Sequence, residues 1–186
     1  MFLTCAIMFT LVSALSGEEK EKKEKWLKVS NDSFTVILSQ KADIETLYGR
    51  IWARRLKENI RMEEPEEKTK KEKLELLMGR ITKIFEHVKK IGELDPEYKG
   101  NERIVILRNK QQLRKMFMKL YNRDYKRGIS FYSSRLNTIF TTEDVINAPI
   151  LAHEMTHMVN NLEFKGHMTV DDDEDSAYRM EVFFRK

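Results

Sequence analysis

Along the chain, apolar positions alternate between two spacings, a period of two typical of strands and a period of three to four typical of helices. Phe34-Thr35-Val36-Ile37-Leu38 follows the turn-like Ser30-Asn31-Asp32-Ser33 and is rich in β-branched residues, which predicts a strand. From Ala42 to about Met62, Ile44, Leu47, Ile51, Leu56 and Ile60 recur at helical spacing, and Leu74, Leu77, Met78, Ile81, Ile84, Phe85 and Val88 draw a second amphipathic stripe. Between them Glu63 to Lys73 is almost all charge and carries Pro65, a solvated break. Gly92 and Pro96 close the second helix. Ile104-Val105-Ile106-Leu107 is then a short apolar run between polar residues, suited to a buried central strand.

Asn109 caps the next helix, with Gln112 three residues on as in a capping box, before Leu113, Met116, Phe117 and Leu120. Two alternating segments, Gly128 to Ser134 and Asn137 to Thr142, are separated by Arg135-Leu136 and read as a hairpin or consecutive strands. A helix follows, with Asn147 as its cap, Pro149 in its first turn and Ile150, Leu151, Met155, Met158, Val159 and Leu162 on its apolar side. Strands and helices in this order predict an α+β domain with a small mixed sheet packed against helices.

Composition places the chain among globular proteins: 186 residues, enough for one domain with a real core, with 41% hydrophobic and 34% charged residues. The leader departs from that average. Residues 1–17 carry no charged side chain, whereas Glu18 to Lys25 is almost entirely Glu and Lys. An apolar stretch ending at Ala14-Leu15-Ser16 has the small-x-small ending of a cleaved signal peptide and is short for a membrane span. The expectation is an exported protein, periplasmic or secreted, with a signal peptide over 1–17, a charged linker over 18–33 and the folded domain over 34–186. An uncleaved leader would tether it to the membrane; once cleaved, the chain has no stable span. Cys5, the only cysteine, lies in that leader, so the domain has no disulfide to rely on. A net charge of +4, from 34 basic and 30 acidic residues, is too mild and too evenly mixed to argue for nucleic acid.

The chemistry concentrates in His153-Glu154-Met155-Thr156-His157, an H-E-x-x-H run inside the apolar helix. Positions i and i+4 lie one above the other on a helix, so the two imidazoles can reach one ion at about 2.0–2.1 Å. Glu154 projects at the neighbouring angle and can serve as general base and acid. Polar residues on a buried helix need a partner, and a metal supplies one. His87, with no acidic or histidine partner at metal spacing, reads as a surface histidine.

The order of elements around this motif, from Phe34 to the C-terminus, resembles the gluzincin branch of the zincin metallopeptidases, of which thermolysin is the best-known member. The metzincin pattern is excluded, because Asn160 and Glu163 stand where its glycine and third histidine would be. The resemblance implies a third ligand, a glutamate on a second helix followed three residues later by a small residue. Glu174, seventeen residues after His157 and three before Ala177, is the first choice. Glu163, Asp175 and Glu181 are the alternatives, and the acidic run Asp171 to Asp175 also suits a helix N-terminus. Two histidines and one carboxylate leave an open position, the pattern of a catalytic rather than structural zinc site.

The implied activity is peptide-bond hydrolysis of a peptide or protein substrate, with one Zn2+ ion, a metal-activated water and Glu154 as general base. Members of the family often take an oxyanion donor from beyond the third ligand; here Tyr178, one turn beyond Glu174, or His167, in the segment that connects the two helices, could serve. One strand between Gly128 and Thr142 would form the cleft edge and bind an extended peptide by strand addition. The competing expectation is a metal-stabilised binding or regulatory module with little turnover, which the presence of Glu154 argues against.

Overall fold

In the computed structural model, which describes residues 25–51, 69–94, 102–126 and 128–185, the apolar run before Arg108 is the middle strand of a five-stranded sheet. The strands are β1 (Trp26–Ser30), β2 (Thr35–Ser39), β3 (Arg103–Leu107), β4 (Phe131–Ser133) and β5 (Thr138–Thr142), in the spatial order β1-β2-β3-β5-β4. The inner pairs β2–β3 and β3–β5 are parallel, while β1 and β4 run antiparallel along the two edges. Alternation across the pleat explains why β3 is apolar throughout. Ile104 and Ile106 enter the larger core, and Val105 and Leu107 enter a second one on the opposite face.

Helices cover both faces. The larger core takes side chains from α1 (Ile44–Arg50), α2 (Lys70–Gly92), α4 (Ala148–Phe164) and α5 (Val170–Arg185), including Leu47, Ile84, Met155 and Phe184. The smaller core is closed by Leu113 and Met116 of α3 (Lys110–Tyr121), with Phe131 and Phe140 stacked at 5.0 Å between them and the sheet. Full burial of one such side chain contributes about 1.5–3 kcal/mol. Mixed helices and strands of this kind make the fold α+β.

Local chemistry sets the helix ends. Asn109 and Asn147 accept from Gln112 N and Ile150 N, as the sequence predicts, and Pro149 sits in the first turn of α4. Thr69 caps α2 through a reciprocal capping box with Glu72, so Lys70 to Lys73 belong to the helix rather than to the expected charged break. Glu93, Asn122 and Lys165 stop their helices in the left-handed region, and Gly166 continues that conformation at φ 79° in the link to α5.

Two boundaries differ from expectation. Trp26–Ser30, assigned above to the linker, is an edge strand in register with β2, so the folded unit extends ahead of Phe34. The first helix starts at Ile44 and its described part closes at Ile51; its continuation toward Met62, the signal-like leader, Cys5 and the Lys/Glu patch up to Glu24 lie outside the described residues. Among the described residues no helix is long and apolar enough to cross a membrane.

Candidate metal centre

The motif helix α4 crosses beneath the sheet with Leu151, Ala152, Met155, Met158 and Val159 in the core. That choice of buried face turns His153 and His157 toward α5, where a tight link returns the chain. The link is short: Lys165 and Gly166 both take positive φ, and His167 N bonds back to Phe164 O at 2.9 Å. Thr169 then caps α5 by accepting from Asp172 N at 3.2 Å. Ala177, fully buried, lets the two helices pack closely, as its small size implies.

Glu174 thereby comes to face both histidines, with carboxylate oxygens 3.8 Å from His153 Nε2 and 3.8 Å from His157 Nε2. The two Nε2 atoms are 3.1 Å apart. One donor atom from each of the three residues lies within 4.8 Å of the other two, and two imidazoles with one carboxylate are a donor set suited to zinc. The orientation of the rings strengthens the fit. His157 Nδ1 stands 2.7 Å from Asp173 Oδ2, which selects the tautomer with its proton on Nδ1 and leaves the Nε2 lone pair facing His153. His153 Nδ1 is 3.1 Å from Glu181 Oε2, within ion-pair distance. At that separation the two Nε2 atoms need a proton or a cation between them.

The electrostatics follow from these contacts. Burial works against a charged His157, but the hydrogen bond and charge of Asp173, with Glu154 and Glu174 nearby, outweigh it and raise the imidazole pKa. At His153 burial and the neighbouring His157 win, and the pKa falls. Asp173 is held below the usual carboxylate range despite burial, because His157 and Asn160 both hydrogen-bond to it; Asn160 Nδ2 donates at 2.8 Å. Glu154 is only 6% exposed, and burial pushes its carboxyl up to about 7, against the opposing pull of His157 and Ser130. A carboxyl at that value can accept and return a proton near neutral pH.

All of these groups open on one cleft of about 670 Å³. Its near wall is α4 and α5, carrying His153, Glu154, His157 and Glu174; its far wall is the segment from Tyr125 through the edge strand β4. Tyr132 ties the walls together, since its hydroxyl donates to Asn137 Oδ1 at 2.9 Å and accepts from Asn161 Nδ2 of α4 at 3.0 Å.

Of the other residues singled out by sequence, Glu163, Asp175 and His167 are exposed and outside the cleft lining, whereas Glu181 lines it beside His153. His87 packs edge-on against Phe184 and does not line the cleft. Tyr178 does not reach the cleft and is 61% exposed. At about 100° per residue, it lies about 40° past Glu174 on the side of α5 away from Ala177, Met180 and Phe184. Sequence reasoning did not anticipate Asp173 or Tyr125. Comparison of the chain with protein-family models, with curated proteins and with solved structures found no match.

Proposed function

We propose that the chain is a zinc-dependent metallopeptidase on a zincin-like α+β scaffold of the gluzincin type, with His153, His157 and Glu174 holding the metal and Glu154 as general base. The observation that carries this reading is the convergence of three donor side chains within 4.8 Å on the same cleft that holds a buried glutamate. Bound there, zinc would act as a Lewis acid and lower the pKa of water. The chain's own residues supply the rest. Asp173 orients His157, Glu181 stands behind His153, and Glu154 takes a proton from water and passes it to the departing amine. The short edge strand β4 offers main-chain groups to an extended peptide along the cleft. Residues 1–17 and the domain that follows fit an exported enzyme.

Zinc content and hydrolysis of fluorescein-labelled casein, measured for the parent and for Glu154→Gln, test the proposal. One bound zinc in both proteins with cleavage lost only in the variant is the expected result. Zinc without any Glu154-dependent cleavage favours a metal-stabilised binding module, and a parent without zinc overturns the assignment.

A further inference from the structure

Hydrolysis needs a donor for the carbonyl oxygen that gains charge as the tetrahedral centre forms. Among the described residues lining the cleft, most side-chain donors are held elsewhere. Ser130 Oγ donates to Phe140 O at 3.0 Å, the Tyr132 hydroxyl is enclosed by Asn137 and Asn161, Asn160 Nδ2 is held by Asp173, and the Thr169 hydroxyl pairs with Asp172 at 2.6 Å. Tyr125 is bonded as well, but to a single partner, whereas Ser130 also bonds to Glu154. Its half-buried hydroxyl donates to Ser130 O at 2.5 Å, a main-chain carbonyl in the same wall, and the phenol lies within electrostatic reach of both Glu154 and Glu174.

The ring is fixed on several sides. It stacks on Phe117 at 4.2 Å with planes 9° apart and meets Phe131 edge-on at 5.5 Å. Gly128 lies against it so closely that a Cβ there would fall 1.7 Å from Cε1 and Cζ, so any side chain at that position would push the ring aside. Aromatic contacts of this kind hold the oxygen in place while the hydroxyl hydrogen turns about the Cζ–O bond. Burial, followed by the charges of Glu154 and Glu174, pushes the phenol up to about 12, so it stays protonated and able to donate.

Resting on the hydrolytic reading above, we infer that Tyr125 donates the hydrogen bond that stabilises the substrate carbonyl oxygen as it becomes negative. Its hydrogen turns from Ser130 O to that oxygen, and no proton is transferred. The family resemblance led to Tyr178 or His167, both after the motif helix, whereas Tyr125 precedes both ligand-bearing helices, in the segment between α3 and β4.

The test uses the zinc-loaded full chain, with Tyr125→Phe keeping the ring and Tyr178→Phe as control. Turnover is measured on a peptide taken from a casein site that the parent cleaves. Affinity is measured by calorimetry for a phosphinic analogue of that peptide, tetrahedral and anionic, and for a ketomethylene analogue with a planar carbonyl. Loss of one such donor should lower kcat by roughly 10²-fold, with KM changed by less than about twofold and zinc content unchanged. Affinity for the phosphinic analogue should fall about tenfold or more, and that for the ketomethylene analogue should hold. An active parent with a Tyr125→Phe kcat within about threefold, or equal losses for the two analogues, overturns the inference alone. A parent that cleaves no casein overturns the hydrolytic reading and this inference with it.

Discussion

Glu154 offers a measurement that does not depend on finding a substrate. Its carboxyl is 6% exposed and is pushed by burial from an ordinary 4.5 to about 7, so the fold resists its ionisation. Each pKa unit corresponds to about 1.4 kcal/mol, which makes the ionised form costlier in the metal-free fold by about 3 kcal/mol. Because the folded value lies above the unfolded one, the native state binds the extra proton. The associated stability is therefore present below pH 4.5 and is lost as the pH rises through about 7. Replacing Glu154 by the isosteric, uncharged Gln removes that loss. In chelator-treated protein, urea denaturation followed by circular dichroism should give similar stabilities for parent and Glu154→Gln at pH 5. At pH 8 the variant should be more stable by about 3 kcal/mol, or about 6–12 °C in Tm for a domain of this size. A difference that does not vary with pH, or a variant less stable than its parent at pH 8, refutes the account of a desolvated carboxyl. Coupled to the expected loss of cleavage in the same variant, the result would show stability given up for the base.

Two further substitutions separate the supports of the site from the site itself. Asp173→Asn weakens the acceptor for His157 Nδ1 and for Asn160, and competition with a coloured chelator should show zinc affinity reduced roughly 10–100-fold with little change in the circular dichroism spectrum. Unchanged affinity would mean that His157 is oriented without it. Asn147→Ala removes the cap accepting from Ile150 N and should cost about 1 kcal/mol in urea denaturation, with zinc stoichiometry retained; no loss of stability would count against the cap.

The motif helix, its Asn-x-Pro start and the strands around it were legible because each depends on neighbours close in sequence. Asn147 and Pro149 encode a helix start, and the β-branched Thr138, Ile139, Thr141 and Thr142 encode a strand. Tyr125 was not legible, since its place is set by stacking on Phe117, whose helix precedes it, and by a glycine three residues on that only the folded loop brings against the ring. Asp173 was hidden for a different reason. In a run of five acidic residues, composition does not distinguish the one that meets His157 Nδ1 from its neighbours; only the packing angle of α5 on α4 does. β1 was missed because Trp26-Leu27-Lys28-Val29-Ser30 continues a Lys/Glu-rich stretch, and its alternation, Leu27 and Val29 toward the larger core, is too brief to stand out. Tyr178 is the opposite case, a residue of suitable chemistry close to Glu174 in sequence but exposed on the outer side of its helix.

The tight link through Lys165 and Gly166 has a consequence for the order in which the centre assembles. His153 and Glu174 are separated by a single helical hairpin, so bringing them together closes a short loop at small entropic cost. The far wall is more distant along the chain. Tyr125 and the edge strand are fixed only once β4 has paired with β5 and the aromatic core has closed around Phe131 and Phe140. Contacts local in sequence form faster than distant ones, so α4 and α5 can bring His153, His157 and Glu174 together before the pocket that buries Glu154 is complete.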